Sequence, residues 1–302
     1  MQKSKQASSI HRMYRAAAVL ALACAAWSSA PAVAATDAGK AQEALAQKGS
    51  VTIGIHNRAP WGYRDDQGEA VGFHPDLVRA ALAPLGVKKI EFVVSEFGAL
   101  IPGMMAKRTD MIASGIAITP QRCKAVIFSE PDLAVGDSLI VATGNPYKIH
   151  SYADIKANPK IRLGGGRGTL NTKNAIDAGV PQEQITQFQD TEALVSAVIA
   201  GRIDAATLSA PSVVSVLQDP KVKGTERALP FTGLIRNGVP AAMYTAIAFR
   251  PEDTALRDLY NQRLAQLKAD GTVRKIMAKY GFTDDDVAPA AVTTEAVCDG
   301  KY

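Results

Sequence analysis

Long apolar runs are scarce in this 302-residue sequence. Beyond the first thirty positions no stretch approaches 18 consecutive apolar residues, which excludes a multispan membrane protein. Only three cysteines and four histidines occur, the cysteines widely separated and none beside a histidine, so no metal-ligand cluster is written here and no metal is expected. The histidines (His11, His56, His74, His150) show no nucleophile-elbow context, which removes a Ser-His-Asp hydrolase. Excess charge is also small. The formal +5 includes Lys3, Lys5, Arg12 and Arg15, and without them the balance is 30 minus 29, or +1, so no nucleic-acid footprint remains. What is present is an ordinary globular mixture, 47% hydrophobic and 21% charged, which excludes wholesale disorder and at roughly 150 residues per domain points to two domains.

Residues 1–35 have the order of a signal peptide. A basic stretch to Arg15 precedes the apolar run Ala16–Trp27, and small residues end at an A-x-A site formed by Ala32 and Ala34. The run is too short to anchor a chain across a bilayer. Export to the periplasm is therefore expected, with lipid attachment at Cys24 as the alternative, since Leu22-Ala23-Cys24 resembles a lipobox. Removal of Cys24 leaves Cys123 and Cys298 in an oxidising compartment, where a disulfide would tie the C-terminal tail to the body; two unpaired buried thiols are the other reading.

Short apolar strands alternate with helical patterns along the rest of the chain, which predicts an α/β fold with mostly parallel sheets. Val51–Ile55, Ile90–Val94, Asp110–Ala113, Ile161–Leu163 and Ile203–Leu208 read as strands. Helices are expected over Asp76–Leu85, Phe97–Lys107, Thr172–Ala178, Glu192–Ala200, Thr254–Asp270 and Val273–Tyr280. Ser138–Thr143 and Met243–Phe249 are extended, apolar and about a hundred residues apart, as two crossings between lobes would be. The expected division is residues 50–142 plus 244–302 in lobe 1 and 143–243 in lobe 2, joined by a two-strand hinge over a cleft.

The segment Phe97–Pro131 carries the most chemistry. Thr119 and Pro120 stand as N-cap and first residue of a short helix, which places Arg122 in its first turn. A guanidinium fork there, beside free N–H groups, can hold a carboxylate; a solvated surface arginine is the plainer reading. Gly164-Gly-Gly-Arg-Gly168 lacks the Gly-Lys-Ser/Thr ending of a phosphate loop and reads as a flexible entry to a helix.

These residues together resemble a known family. F-x-x-L-I-P-x-M from Phe97, K-R-x-D ending at Asp110, S-G-x-x-I-T-P-x-R ending at Arg122 and F-S-E-P ending at Pro131 are similar to solute-binding protein family 3, the extracytoplasmic receptors of ABC importers. The resemblance runs from about Gly49 to Phe282 and includes Gly168-Thr169 and Gly201–Ala205. It implies a type II periplasmic binding fold, no enzyme activity, no cofactor, a monomer, and a membrane permease as partner. It further implies that Arg122 binds a ligand carboxylate with backbone help from Gly115 and Ala117. Phe97 and Trp61 would offer ring faces, and Gly168 and Thr169 would meet the same carboxylate from the second lobe. The wording T-P-Q-R-C, F-S-E-P, G-N-P and V-C-D-G is similar to the ectoine/hydroxyectoine-binding branch.

Two departures bear on the ligand. Ser209 stands where many members place a carboxylate for an α-ammonium, and Arg58 stands at an acidic position of the ectoine branch, with Ala117 replacing a Phe. Ectoine, a polar amino acid, and a ligand with a second carboxylate facing His56 and Arg58 are the ligand readings; Arg58 in solvent or paired with Asp65 or Asp66 is the plain alternative. A periplasmic cyclohexadienyl dehydratase on the same fold is the enzymatic alternative, and it requires an acidic proton donor in the cleft. A soluble partner of a sensor kinase is a third possibility.

Overall fold

Burial of alternate strand faces explains the architecture. The computed structural model describes residues 32–302, and residues 41–302 form one compact unit. The segment 1–31, most of the expected signal peptide with Cys24, lies outside the described residues, and Ala32 opens a helix that runs to Lys48. No helix among the described residues is long and apolar enough to cross a membrane.

Fifteen strands follow among the described residues. They are β1 (Ser50–Ile55), β2 (Tyr63–Arg64), β3 (Ala70–Val71), β4 (Lys89–Val94), β5 (Met111–Ala117), β6 (Ile127–Phe128), β7 (Leu133–Val135) and β8 (Asp137–Ala142). The remainder are β9 (Leu163–Gly166), β10 (Ile185–Phe188), β11 (Ala205–Ser209), β12 (Thr225–Arg227), β13 (Ile235–Arg236), β14 (Val239–Pro240) and β15 (Met243–Phe249). One sheet has the order β4-β1-β5-β15-β6, with β7 also on β15; the other has the order β10-β9-β11-β8-β12. In each, the parallel strands give way to an antiparallel partner, β15 on β5 and β8 on β11.

Helices cover both faces of the central strands, so β5, β11 and β15 are buried nearly throughout rather than alternating, while the edge strands β4, β10 and β12 carry polar, partly exposed residues. Met111 and Ala113 of β5 and Ile247 and Phe249 of β15 enter one core; Ile112, Ile116, Ala246 and Ala248 enter the core on the opposite face. The second sheet divides the same way, Leu139 and Val141 to one side and Ile140 to the other.

The expected lobe boundary shifts. Asp137–Ala142 pairs with β11 and β12, so the chain passes from the first sheet to the second at Gly136, between β7 and β8, not at residue 143. A strand buried on both faces and a strand crossing between lobes are equally apolar, and pattern alone does not separate them. The return is at Met243, where β15 begins. Three further expectations change. Ile161–Leu163 begins two residues later as β9; the tail holds a helix, Thr294–Cys298; and Gly164–Gly166 is strand, not flexible loop.

The glycines of β9 are there for packing. A Cβ on Gly165 would lie 2.3 Å from Thr172 Oγ1, and one on Gly164 would lie 2.3 Å from Ile203 Cδ1. The strand is hydrogen-bonded on both sides, to β10 and β11. Gly165 lets the helix Leu170–Asp177 sit directly on the strand, and Gly164 does the same for Leu194 and Ile203 on the other face.

Candidate functional site

Between the C-terminal ends of β5 and β11 the two sheets approach each other, and side chains from both line a cavity. Of the residues expected from sequence, Arg58, Trp61, Phe97, Gly115, Ala117, Arg122, Thr169 and Ser209 all line it, and Gly168 is at its rim.

Arg122 bridges the two sides. Thr119 caps the helix Pro120–Cys123, its Oγ1 accepting from the Arg122 N–H at 3.2 Å. The guanidinium donates from Nη1 to the Ala117 carbonyl at 2.7 Å and from Nη2 to the Gly168 carbonyl at 3.0 Å. The expected help from a helix N-terminus does not hold. The helix is four residues long, Pro120 has no N–H, and the N–H groups of Arg122 and Cys123 are taken by Thr119, so of the first turn only the Gln121 N–H is left to assist the guanidinium.

On the other side, Thr169 caps Leu170–Asp177, and its own N–H donates to the Gly166 carbonyl. Gly168 offers a carbonyl and Thr169 a hydroxyl that already donates to Gly166, and the N-terminal N–H groups that the resemblance implied for the helix they open lie just beyond them. The donors come one turn position later. Leu170 and Asn171 both line the cavity and, as the first two helical residues, have N–H groups without intrahelical acceptors.

Gly115 has a φ of +63°, and a Cβ there would lie 2.4 Å from Trp61 Cδ2, so the Trp61 ring rests directly on a glycine. The Gly115 N–H donates to His74 Nδ1 at 2.7 Å, and His74 Nε2 donates to buried Asp132 at 3.0 Å. That N–H is thus spent before a ligand arrives. Burial alone would push the Asp132 carboxyl up, but His74, Thr245 and Lys268 together hold it below the ordinary range.

Trp61 and Ser209 form the second contact between the sheets. The indole N–H is shared between Ser209 Oγ and Ser212 Oγ, each at 3.1 Å, and Ser209 donates to Ser212. Ser209 is thereby occupied as an acceptor from Trp61 rather than facing the cavity as a free polar group.

Arg58 is buried, 5% exposed, and pairs with neither Asp65 nor Asp66. Its guanidinium carbon lies 5.6 Å from the centre of the Phe97 ring, and that of Arg122 lies 5.3 Å from the same ring. Desolvation lowers both arginines to about 10, Arg58 further burdened by the charge of Arg122, which leaves both cationic at neutral pH. His56 meets the Phe97 ring edge-on, donates from Nδ1 to the Ser95 carbonyl at 3.1 Å, and is depressed to about 4 by burial and by Arg58.

Asp137 and Asn171 join the site without a motif to mark them. Asn171 lines the cavity and donates from Nδ2 to Asp137 Oδ1 at 2.7 Å, while Asn174 donates to Oδ2 at 3.0 Å. Burial pushes the Asp137 carboxyl up to about 6 against these hydrogen bonds. An acidic residue opening an otherwise apolar strand is the one signal the sequence offers for it. Among the described residues no group of three His, Cys, Asp or Glu gathers to hold a metal. Cys123 and Cys298 are joined by a disulfide.

Two α/β lobes meeting at a polar cleft define a type II periplasmic binding protein. Residues 51–283 match the model of the bacterial extracellular solute-binding proteins, family 3, and the chain belongs to that family. It is 35% identical over 259 residues, 85% of either chain, to a Sinorhizobium fredii protein named probable amino-acid ABC transporter periplasmic-binding protein y4tE. It is 29% identical over 224 residues, 74% of this chain and 83% of the relative, to the histidine-binding periplasmic protein of Salmonella typhimurium. Among solved structures, EhuB in complex with hydroxyectoine is 34% identical with a TM-score of 0.73, covering 85% of this chain and 97% of that one. The ancestral amino-acid-binding protein AncCDT-1, described as a precursor of cyclohexadienyl dehydratase, is 27% identical with a TM-score of 0.69, covering 79% and 98%.

Proposed function

We propose that this protein is the periplasmic receptor of an ABC importer, taking a small carboxylated, amino-acid-like solute into the cleft and presenting it to a membrane permease as a monomer. Arg122 carries the reading. Its guanidinium stands at the cavity wall, held by one carbonyl from each lobe and, among the described residues, by no carboxylate, so a ligand acid group is the missing counter-charge. The N–H groups of Leu170 and Asn171 would then grip the same acid from the opposite lobe, which rewards the shut form over the open one. The names of the relatives support an amino-acid-like solute, and the hydroxyectoine complex of EhuB keeps ectoines among the candidates. A dehydratase needs a proton donor at the ligand, and among the described residues no carboxyl side chain lines this cavity.

The test is calorimetry on protein stripped of ligand by unfolding and refolding. The Arg122→Gln variant should bind any carboxylated ligand at least about 30-fold more weakly than wild type, the loss of a charge-assisted bidentate contact, with an unchanged circular dichroism spectrum. Equal affinity in the two proteins would dismiss the site.

A further inference from the structure

The Arg122 cavity does not end at Phe97. A second cavity adjoins it, sharing Arg58, Phe97 and Thr169 and continuing to Arg167 and Asp190. Arg58 stands at the junction. Among the described residues its guanidinium makes no ion pair and no side-chain hydrogen bond, and its Nε is wholly enclosed without a partner. An arginine buried this completely and left unpaired is strongly disfavoured unless something supplies the opposite charge.

The neighbouring groups do not supply it. His56 lies on the same side of Phe97 and is neutral, with Nδ1 spent on the Ser95 carbonyl. Among the described residues Asp190 is the one carboxylate at the second cavity; it is more than 4.0 Å from Arg58, and its Oδ1 caps the helix Thr191–Ile199 through the Ala193 N–H at 2.7 Å. Arg167 lines the same cavity and offsets that charge. Across both cavities three guanidiniums face one committed carboxylate.

We infer that the ligand is a dicarboxylate, one acid group on Arg122 and the second on Arg58, with the carbon chain between them lying along the Phe97 ring. This rests on the receptor reading above and narrows it. An anion at each arginine supplies the counter-charge that the protein withholds and removes the mutual repulsion of the two cations. A zwitterion with a single acid group, such as ectoine or glutamine, leaves Arg58 unpaired and sets its cationic end against it.

Calorimetry on stripped wild-type protein with L-glutamate, L-aspartate and glutarate, against L-glutamine and ectoine, decides the matter. At least one dicarboxylate should bind about 30-fold or more tighter than every monocarboxylate, the factor expected for pairing a buried charge. Arg58→Gln should bring that ratio close to one, weakening the dicarboxylate and relieving glutamine of the opposed charge; Arg58→Lys should restore part of it. Glutamine or ectoine binding as tightly as the dicarboxylates, or a ratio unmoved by Arg58→Gln, overturns the inference and leaves the receptor standing. No binding of any acid, or binding indifferent to Arg122→Gln, overturns both. Should Arg58→Gln not fold, the wild-type ratio decides alone.

Discussion

At the scale of single residues the cleft is a place where burial is used against charge. His56 illustrates the sign. Its folded-state value of about 4, set by burial and then by Arg58, lies below the ordinary value of 6.5, so between those limits the unfolded chain binds a proton that the folded chain refuses. Stability is lost as pH falls from about 6.5 toward about 4. In guanidinium titrations at pH 7 and pH 4.5, wild type should lose up to about 3 kcal/mol more than His56→Gln. Asp137, raised to about 6, works in the opposite direction but is common to both proteins and cancels in the difference. That Arg122 stands in the cleft is legible in its cap, its proline and its motif. The burial of Arg58 is not, because an arginine seven and eight residues before Asp65 and Asp66 has equally good reason to point outward and pair with them, and only its burial against the Phe97 ring removes that option.

At the scale of elements, β9 governs the second lobe's share of the site. A glycine run reads as flexible in sequence, yet each missing side chain makes room for a neighbour: Gly165 for Thr172 of the helix Leu170–Asp177, Gly166 for its cap Thr169, and Gly164 for Ile203 and Leu194 on the other face. Gly165→Ala should therefore cost about 1–3 kcal/mol in urea denaturation. Every atom beyond Cα in the Thr172 side chain lies within about 3.2 Å of the new methyl, so rotating Thr172 does not relieve the clash. The same change should weaken ligand binding, since it displaces the N–H groups of Leu170 and Asn171. Most other elements are legible: Gly86 ends its helix in a left-handed cap, Thr119 and Thr169 cap theirs, and the two final long helices begin within a residue of where their periodicity places them. The helix Thr294–Cys298 is too short to show a period; it is held by Thr293 as cap and by Glu130 Oε2, which accepts from the Thr294 N–H at 3.1 Å. Glu130 is thus explained by the tail rather than by the cleft.

At the scale of the whole molecule the disulfide joins positions 175 residues apart and ties that tail helix to the helix bearing Arg122. Replacing Cys298 by Ser should lower the unfolding free energy by about 2–5 kcal/mol, read from denaturant titration, because the open chain regains the entropy the bond withheld. Reducing agent should do the same to wild type and nothing further to the variant.

The amino-acid sequence determined the class of fold, the family and the placing of Arg122 at the cleft, because alternating strands and helices, caps and short motifs are all local signals. Only the tertiary structure decided where the chain passes between lobes, which N–H groups are free, and that Arg58 is enclosed without a counter-charge. Those depend on what distant segments bring within a few ångströms, and no periodicity in one segment records the neighbours that another will supply.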